Sequence, residues 1–261
     1  ISGVISKVGR NVKKYSEGMR VFIAPNVGCG NCGLCVGGNE HLCKNYRAFG
    51  VNMDGGFAEY MVISAEAVRG GNIMVLADGV SFEEAAVFEP AACVLNGQWR
   101  CSIKKGETVL IIGAGPIGVL HTLMAQAAGA RVLVRDLSEK RMKKATVICK
   151  GAEMVIGKNL QSTVLDLTNG NGVDVCITAC PVPSVQQDVF NLMKINGRVL
   201  FFGGLPAGRE IVPLNTNIIH FKQLSVFGST RCSKEHCSKI AEMVRLGELN
   251  LTGIITERFA L

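Results

Sequence analysis

Aromatic residues are scarce in this chain: 6% of 261 positions, with three Tyr and one Trp. A surface for single-stranded nucleic acid relies on aromatic stacking platforms, so the scarcity argues against one. Charge is also thin, at 19%, which suits strands buried on both faces better than a solvated helical bundle. No uninterrupted apolar run approaches the ~18 residues of a membrane span. The most lipid-like stretch, 109–134, is broken by Gly113, Gly115, Pro116, Gly118, His121 and Gly129. There is no basic-then-apolar leader and no initiator Met before Ile1. The expected setting is therefore cytoplasmic, with neither membrane nor nucleic acid as partner.

What is present points to a packed core. Hydrophobic residues make up 48% and mean hydropathy is +0.28, which excludes disorder. The 31 glycines exceed the usual ~7% share and demand many turns or close backbone approaches. Net charge is +7, but residues 1–88 balance at eight basic and eight acidic groups. Much of the surplus lies between Arg131 and Lys158, where Lys140, Lys143, Lys144 and Lys150 read as a solvated helix face.

The two halves differ in pattern. Residues 1–88 hold short β-rich runs at 4–8, 20–23 and 58–63, as in a barrel-like domain. From Glu107 onward strands and helices alternate, with strands expected at 109–112, 131–134, 154–156, 173–178, 198–202 and 223–227. Helices are expected at 116–128, from a Ser184/Gln187 capping box to a stop at Gly197, and between Ser233 and Gly247. Six strands alternating with helices imply an α/β fold with a doubly wound parallel sheet.

Eleven cysteines divide into two groups. Cys93, Cys101, Cys149, Cys176, Cys180, Cys232 and Cys237 stand singly in apolar stretches and are read as small hydrophobes. The other four, Cys29-x2-Cys32-x2-Cys35-x7-Cys43, share one glycine-rich loop. Four thiolates at ~2.3 Å close the tetrahedral shell of Zn²⁺ and leave no open position, so the site would be structural. From spacing alone, an iron–sulfur cluster or a disulfide pair remains open.

Residues 109–118, Val-Leu-Ile-Ile-Gly-Ala-Gly-Pro-Ile-Gly, read as a buried strand running through Gly113, Gly115, Pro116, Ile117 and Gly118 into a helix. Gly113 suits the tight turn, Gly115 an approaching pyrophosphate and Gly118 close helix–strand packing. The helix N-terminus supplies free N–H donors to phosphate. Asp136, 18 residues past Gly118, sits where a carboxylate binds the adenosine ribose hydroxyls, which favours NAD. Arg135, Lys140 and Arg141 keep NADP open, since any of them could hold a 2′-phosphate.

A four-cysteine loop followed by a dinucleotide fingerprint resembles the zinc-dependent medium-chain dehydrogenase/reductase family. Supporting motifs are Gly55-Gly56-Phe57-Ala58-Glu59-Tyr60, Phe88-Glu89-Pro90-Ala91, Phe202-Gly203-Gly204 and Gly228-Ser229-Thr230. Glu89 before Pro90 resembles the sorbitol (polyol) and threonine dehydrogenase branch. Met19 stands where the family usually has Asp.

The resemblance implies a GroES-like catalytic domain at 1–88 with a zinc lobe at about 24–46. It implies a Rossmann NAD-binding domain at 89–240, and at 241–261 the end of that domain and the start of a return to the catalytic one. Thr178, Phe202, Gly203 and Ser229 would contact the cofactor, and Glu89 would serve the catalytic zinc directly or through water. The other ligands of that zinc belong to a motif that would precede Ile1, so the chain is expected to be an internal fragment, inactive by itself. None of His41, His121, His220 and His236 is expected to replace them. The implied activity is hydride transfer between a secondary alcohol, a polyol first, and NAD, in a homo-oligomer (dimer or tetramer). Alternatives are an NADP-dependent alcohol, enal or quinone reductase, and a nucleotide- and zinc-binding fragment without catalysis.

Overall fold

The run Val21-Phe22-Ile23 near the start of the chain is buried throughout, so its backbone N–H and C=O groups must find partners, and neighbouring strands supply them. The computed structural model describes residues 1–261 and divides into two units, 1–93 with 231–261, and 94–230. The sequence reading set boundaries after 88 and 240. The first of these falls at the opening residue of the helix Phe88–Cys101, whereas the units divide within that helix, between Cys93 and Val94.

The first unit contains β1 (Ser2–Val4), β2 (Arg20–Ile23), β3 (Asn26–Val27), β4 (Arg47–Ala48) and β5 (Ile73–Val75). An antiparallel sheet in the order β1-β2-β5 lies beside the β3–β4 ribbon. Its core is Tyr15, Val21, Ile23, Val27, Phe49, Ala67 and Ile73. The buried Asn72 amide, just before β5, fixes the passage from β2 to β3, donating to the Ala24 and Asn26 carbonyls at 2.8 Å each. The expected run at 4–8 is a strand only as far as Val4. Residues 58–63 form no strand: no neighbouring strand offers them partners, and Phe57, Tyr60 and Val62 lie exposed.

The second unit holds β6 (Thr108–Ile112), β7 (Arg131–Arg135), β8 (Glu153–Met154), β9 (Val173–Thr178), β10 (Met193–Phe201) and β11 (Ser225–Gly228). All pair in parallel, in the order β11-β10-β9-β6-β7-β8. Strand order reverses between β6 and β9, and ligands of such sheets bind at the carboxyl ends of the strands there. Leu110, Leu133, Cys176 and Val199 fill the core together with Val164, Phe190 and Met193.

Residues 184–197 differ from expectation. Pro183 opens a helix that ends at Asp188, a 3₁₀ turn covers Val189–Leu192, and Met193 already belongs to β10. Ser184 is not the cap, since that position is Val182. Gly197 stops no helix; it sits where the register of β10 shifts, and a Cβ there would lie 2.8 Å from the Lys194 carbonyl. Burial of Met193 in the sheet outweighs its helical spacing.

Candidate functional site

Three constellations carry chemistry, and each lies within one unit. In the first, the single-turn helix Gly33–Val36 brings Cys35 round beside Cys32. The four sulfurs of Cys29, Cys32, Cys35 and Cys43 lie within 4.8 Å of one another. Cys29 and Cys35 are 3.9 Å apart and Cys32 and Cys43 3.8 Å, with no disulfide among them. These are close to the ~3.8 Å edges of a tetrahedron built on ~2.3 Å zinc–sulfur bonds. The backbone N–H groups of Cys29 and Asn45 donate to Cys43 Sγ at 3.5 and 3.3 Å. N–H donation from Asn31 and Cys32 brings the Cys29 thiol down to about 6, favouring its thiolate. The packing leaves room for nothing larger than Gly28, whose Cβ would fall 2.5 Å from Cys35 Sγ. Geometry and donor chemistry fit a closed zinc shell.

The glycine turn is the second constellation. Gly113 has φ 116°, and a Cβ on it would meet the Ala179 carbonyl at 2.7 Å. At Gly118 the same atom would lie 1.8 Å from the Gly113 carbonyl oxygen, whereas at Gly115 nothing comes within 4 Å. Two glycines are thus required by packing, while the middle one faces open space. Helix Pro116–Ala127 follows with no side chain on its N-terminal N–H groups, so these donors are free for an anion. Pro116 is exposed and Ile117 half-buried. Asp136 holds the turn from the next strand: Oδ2 accepts the Ala114 N–H and Oδ1 the Ser138 N–H, both at 2.8 Å. Each oxygen retains acceptor capacity for a ribose hydroxyl. Arg141 is mostly exposed and reaches to 3.7 Å from Asp136.

Phe202, Gly203 and Ser229 share a cleft of about 370 Å³ with Gln186, Leu205 and Glu210. Ser229 Oγ is buried there with no hydrogen-bond partner, an orphan that a polar ligand group would satisfy. Gln186 donates to the Gly203 carbonyl at 3.0 Å and fixes that loop. Gly97 packs against Phe202 and Ser229, where a Cβ would intrude to 3.2 and 3.1 Å. Sequence reading missed Gln186, Glu210 and Gly97, which no motif flags. Thr178 is placed differently from its expected role: the side chain is fully buried, and its hydroxyl donates to the Leu200 carbonyl at 3.4 Å. Its carbonyl instead accepts the Gly203 N–H at 2.9 Å, so it braces the cleft from beneath.

The third constellation surrounds Glu89, in the first turn of Phe88–Cys101. Cys93 donates to Glu89 Oε1 at 3.2 Å, and Cys232 Sγ lies 3.9 Å from the same oxygen. Cys237 Sγ is 3.8 Å from Cys232 Sγ. Cys93, Cys232 and Cys237 are therefore not isolated small hydrophobes, as expected from their scatter, but one cluster. The hydrogen bond with Cys232, and then burial, raises the Cys93 thiol well above its ordinary range. Three of the four histidines, His41, His121 and His236, are buried packing residues, and His220 is exposed.

Family comparison accounts for nearly the whole chain. Residues 116–246 match the model for zinc-binding dehydrogenases and residues 1–70 that for the alcohol dehydrogenase GroES-like domain. The L-threonine 3-dehydrogenase of Pyrococcus furiosus is 33% identical over 264 residues, covering 99% of this chain and 73% of that protein. This chain is a zinc-binding dehydrogenase of the medium-chain family. Among solved structures, a Sinorhizobium meliloti zinc-binding dehydrogenase bound to NADP has a TM-score of 0.85 at 30% identity, covering 96% of this chain and 72% of that one. A short chain alcohol dehydrogenase from E. coli complexed with NADH has a TM-score of 0.84 at 26% identity, covering 95% and 72%. The dehydrogenase thus has the expected α/β architecture, a GroES-like domain with a Rossmann domain. None of its helices is long and apolar enough to cross a membrane.

Proposed function

We propose that this dehydrogenase binds NAD at the glycine turn and serves hydride transfer to or from a secondary alcohol with a polar neighbouring group, a polyol or threonine. The observation that carries the cofactor assignment is Asp136, whose carboxylate braces the Gly113–Gly118 turn and would repel a 2′-phosphate. The first-turn N–H groups of Pro116–Ala127 receive the pyrophosphate at the opening left by Gly115. Phe202 and Gly203 line the cleft, and Ser229 Oγ supplies a hydroxyl to the nicotinamide half.

Cys29, Cys32, Cys35 and Cys43 hold a structural zinc. When bound at the reaction centre, zinc acts as a Lewis acid toward the alcohol oxygen, and NAD is the hydride acceptor. Glu89 places a carboxylate oxygen where it can ligate or hold a proton, as it already accepts the Cys93 S–H. The relatives named L-threonine 3-dehydrogenase and the polyol-like Glu89-Pro90 motif point to the same reacting group, a secondary carbinol beside a polar substituent. Eleven unpaired cysteines suit a reducing compartment, the cytoplasm. The exposed edge of β11 is where a second copy would pair.

Nicotinamide fluorescence during titration with NADH and NADPH tests the cofactor reading. NADH binding at least 10-fold more tightly, with the preference lost in Asp136→Ala, is expected. Failure to bind either dinucleotide would overturn it. The second reading, NADP, draws on Arg141 beside Asp136 and predicts the opposite preference, weakened by Arg141→Ala. NADH formation with sorbitol, 2,3-butanediol and threonine then ranks the substrates.

A further inference from the structure

We propose that Glu210 makes the cleft beside Ser229 selective for the oxidised, cationic nicotinamide over the neutral reduced one. The selectivity rests on the reading of that cleft as the nicotinamide half of the dinucleotide site. NAD carries a positive charge on its nicotinamide ring and NADH carries none there. A fixed carboxylate in the cleft therefore attracts the first and is indifferent to the second.

Glu210 is the one ionisable side chain among the residues that line the cleft. Phe201, Phe202 and Leu205 give the cleft apolar walls, and such walls focus the field of a charge along a cleft. No cation neutralises the carboxylate: Glu210 joins no ion pair, and the adjacent Arg209 is not among the lining residues. The unpartnered Ser229 hydroxyl is neutral and serves both redox forms alike, so discrimination falls to Glu210.

The charge is also held in place. The Arg209 N–H closes a turn onto the Pro206 carbonyl at 3.0 Å, with Gly208 in the left-handed region at φ 80°. N–H donation from the backbone of Glu210 itself, then from Gly208 and Arg209, keeps its carboxyl below the usual carboxylate range. The side chain is exposed, so its attraction is that of a screened surface charge. Once hydride has reached the ring the attraction ends, and the reduced cofactor leaves a cleft that no longer favours it.

Calorimetric titration of the whole chain with NAD and with NADH tests this without turnover. Glu210→Gln keeps the shape and the acceptor oxygen but removes the charge. It is expected to weaken NAD about 3-fold, the scale of an exposed charge pair, and to leave NADH unchanged. Glu210→Asp is expected to retain the wild-type ratio of the two affinities, and Glu210→Lys to move it further than Gln. Raising salt from about 0.1 to about 1 M shortens the Debye length from about 10 to about 3 Å and should bring the wild type to the Gln ratio. A merely structural brace would shift both affinities together and ignore salt. An unchanged ratio in Glu210→Gln, in a protein that binds both forms, would overturn the selectivity and leave the cofactor site standing. A wild type that binds neither form would overturn both.

Discussion

Three glycines of one motif do unlike work, and the difference predicts unlike phenotypes. A methyl group on Gly118 would lie 1.8 Å from a backbone carbonyl that cannot yield without moving the turn. Gly118→Ala is therefore expected to destabilise the protein by about 1–3 kcal/mol, read as a lowered urea midpoint. Gly115→Val points into open space and should leave the midpoint within about 0.5 kcal/mol while weakening NADH binding at least 10-fold. The reverse pattern would mean that the turn does not face the pyrophosphate. The four-cysteine spacing and the glycine triplet were legible because each sits within one short segment. The cluster around Glu89 was not, since its members come from residues 89–93 and 232–237, and nothing in sequence joins them. Where the Thr178 hydroxyl points was not legible for a related reason: which face of β9 it takes is decided by packing against β10.

Elements were legible where hydrophobic burial and glycine punctuation agree. Strands β6, β7 and β9 are apolar runs between turns, and the sheet buries them almost completely. The stretch 189–197 defeated periodicity because its apolar residues satisfy a helix pattern and a buried strand equally, whereas the strand expected from 198 is there. Helix Pro116–Ala127 carries a further consequence. His121 within it is fully buried, and burial lowers its pKa to about 3. Gln98 donates to its carbonyl at 2.8 Å and lies 3.2 Å from Nδ1, while Nε2 has no partner. The folded state thus keeps His121 neutral, whereas the unfolded chain protonates it below its ordinary value of 6.5. Stability is lost as pH falls from about 6.5 towards about 3, by up to about 1.4 kcal/mol per pH unit. His121→Leu should flatten this part of a urea-midpoint profile by about one proton. Because the ring packs edge-on against Phe202 at 4.5 Å, the same variant should also weaken NADH binding modestly. An unchanged acid limb would refute the assignment.

At the scale of the whole molecule, the α/β class and the family were legible because both defining motifs fall within this chain. Unit edges were less so, since the helix from Phe88 to Cys101 carries no break at the transition. The two proposed kinds of ligand bind different units: metal in 1–93 with 231–261, dinucleotide in 94–230. Ligands that bind only the folded state stabilise it by mass action, about 2.7 kcal/mol at 100-fold above Kd. Hydrogen exchange followed by mass spectrometry locates that gain. Chelation should increase exchange in peptides spanning 29–45, where the Cys29 and Asn45 N–H groups bond to Cys43. NADH should slow exchange at 113–118 and around Gly203, whose N–H already bonds to Thr178. Metal-independent exchange at 29–45 would refute the structural zinc while leaving the dinucleotide site standing. NADH-independent exchange at 113–118 would do the converse, so each constellation answers to its own ligand.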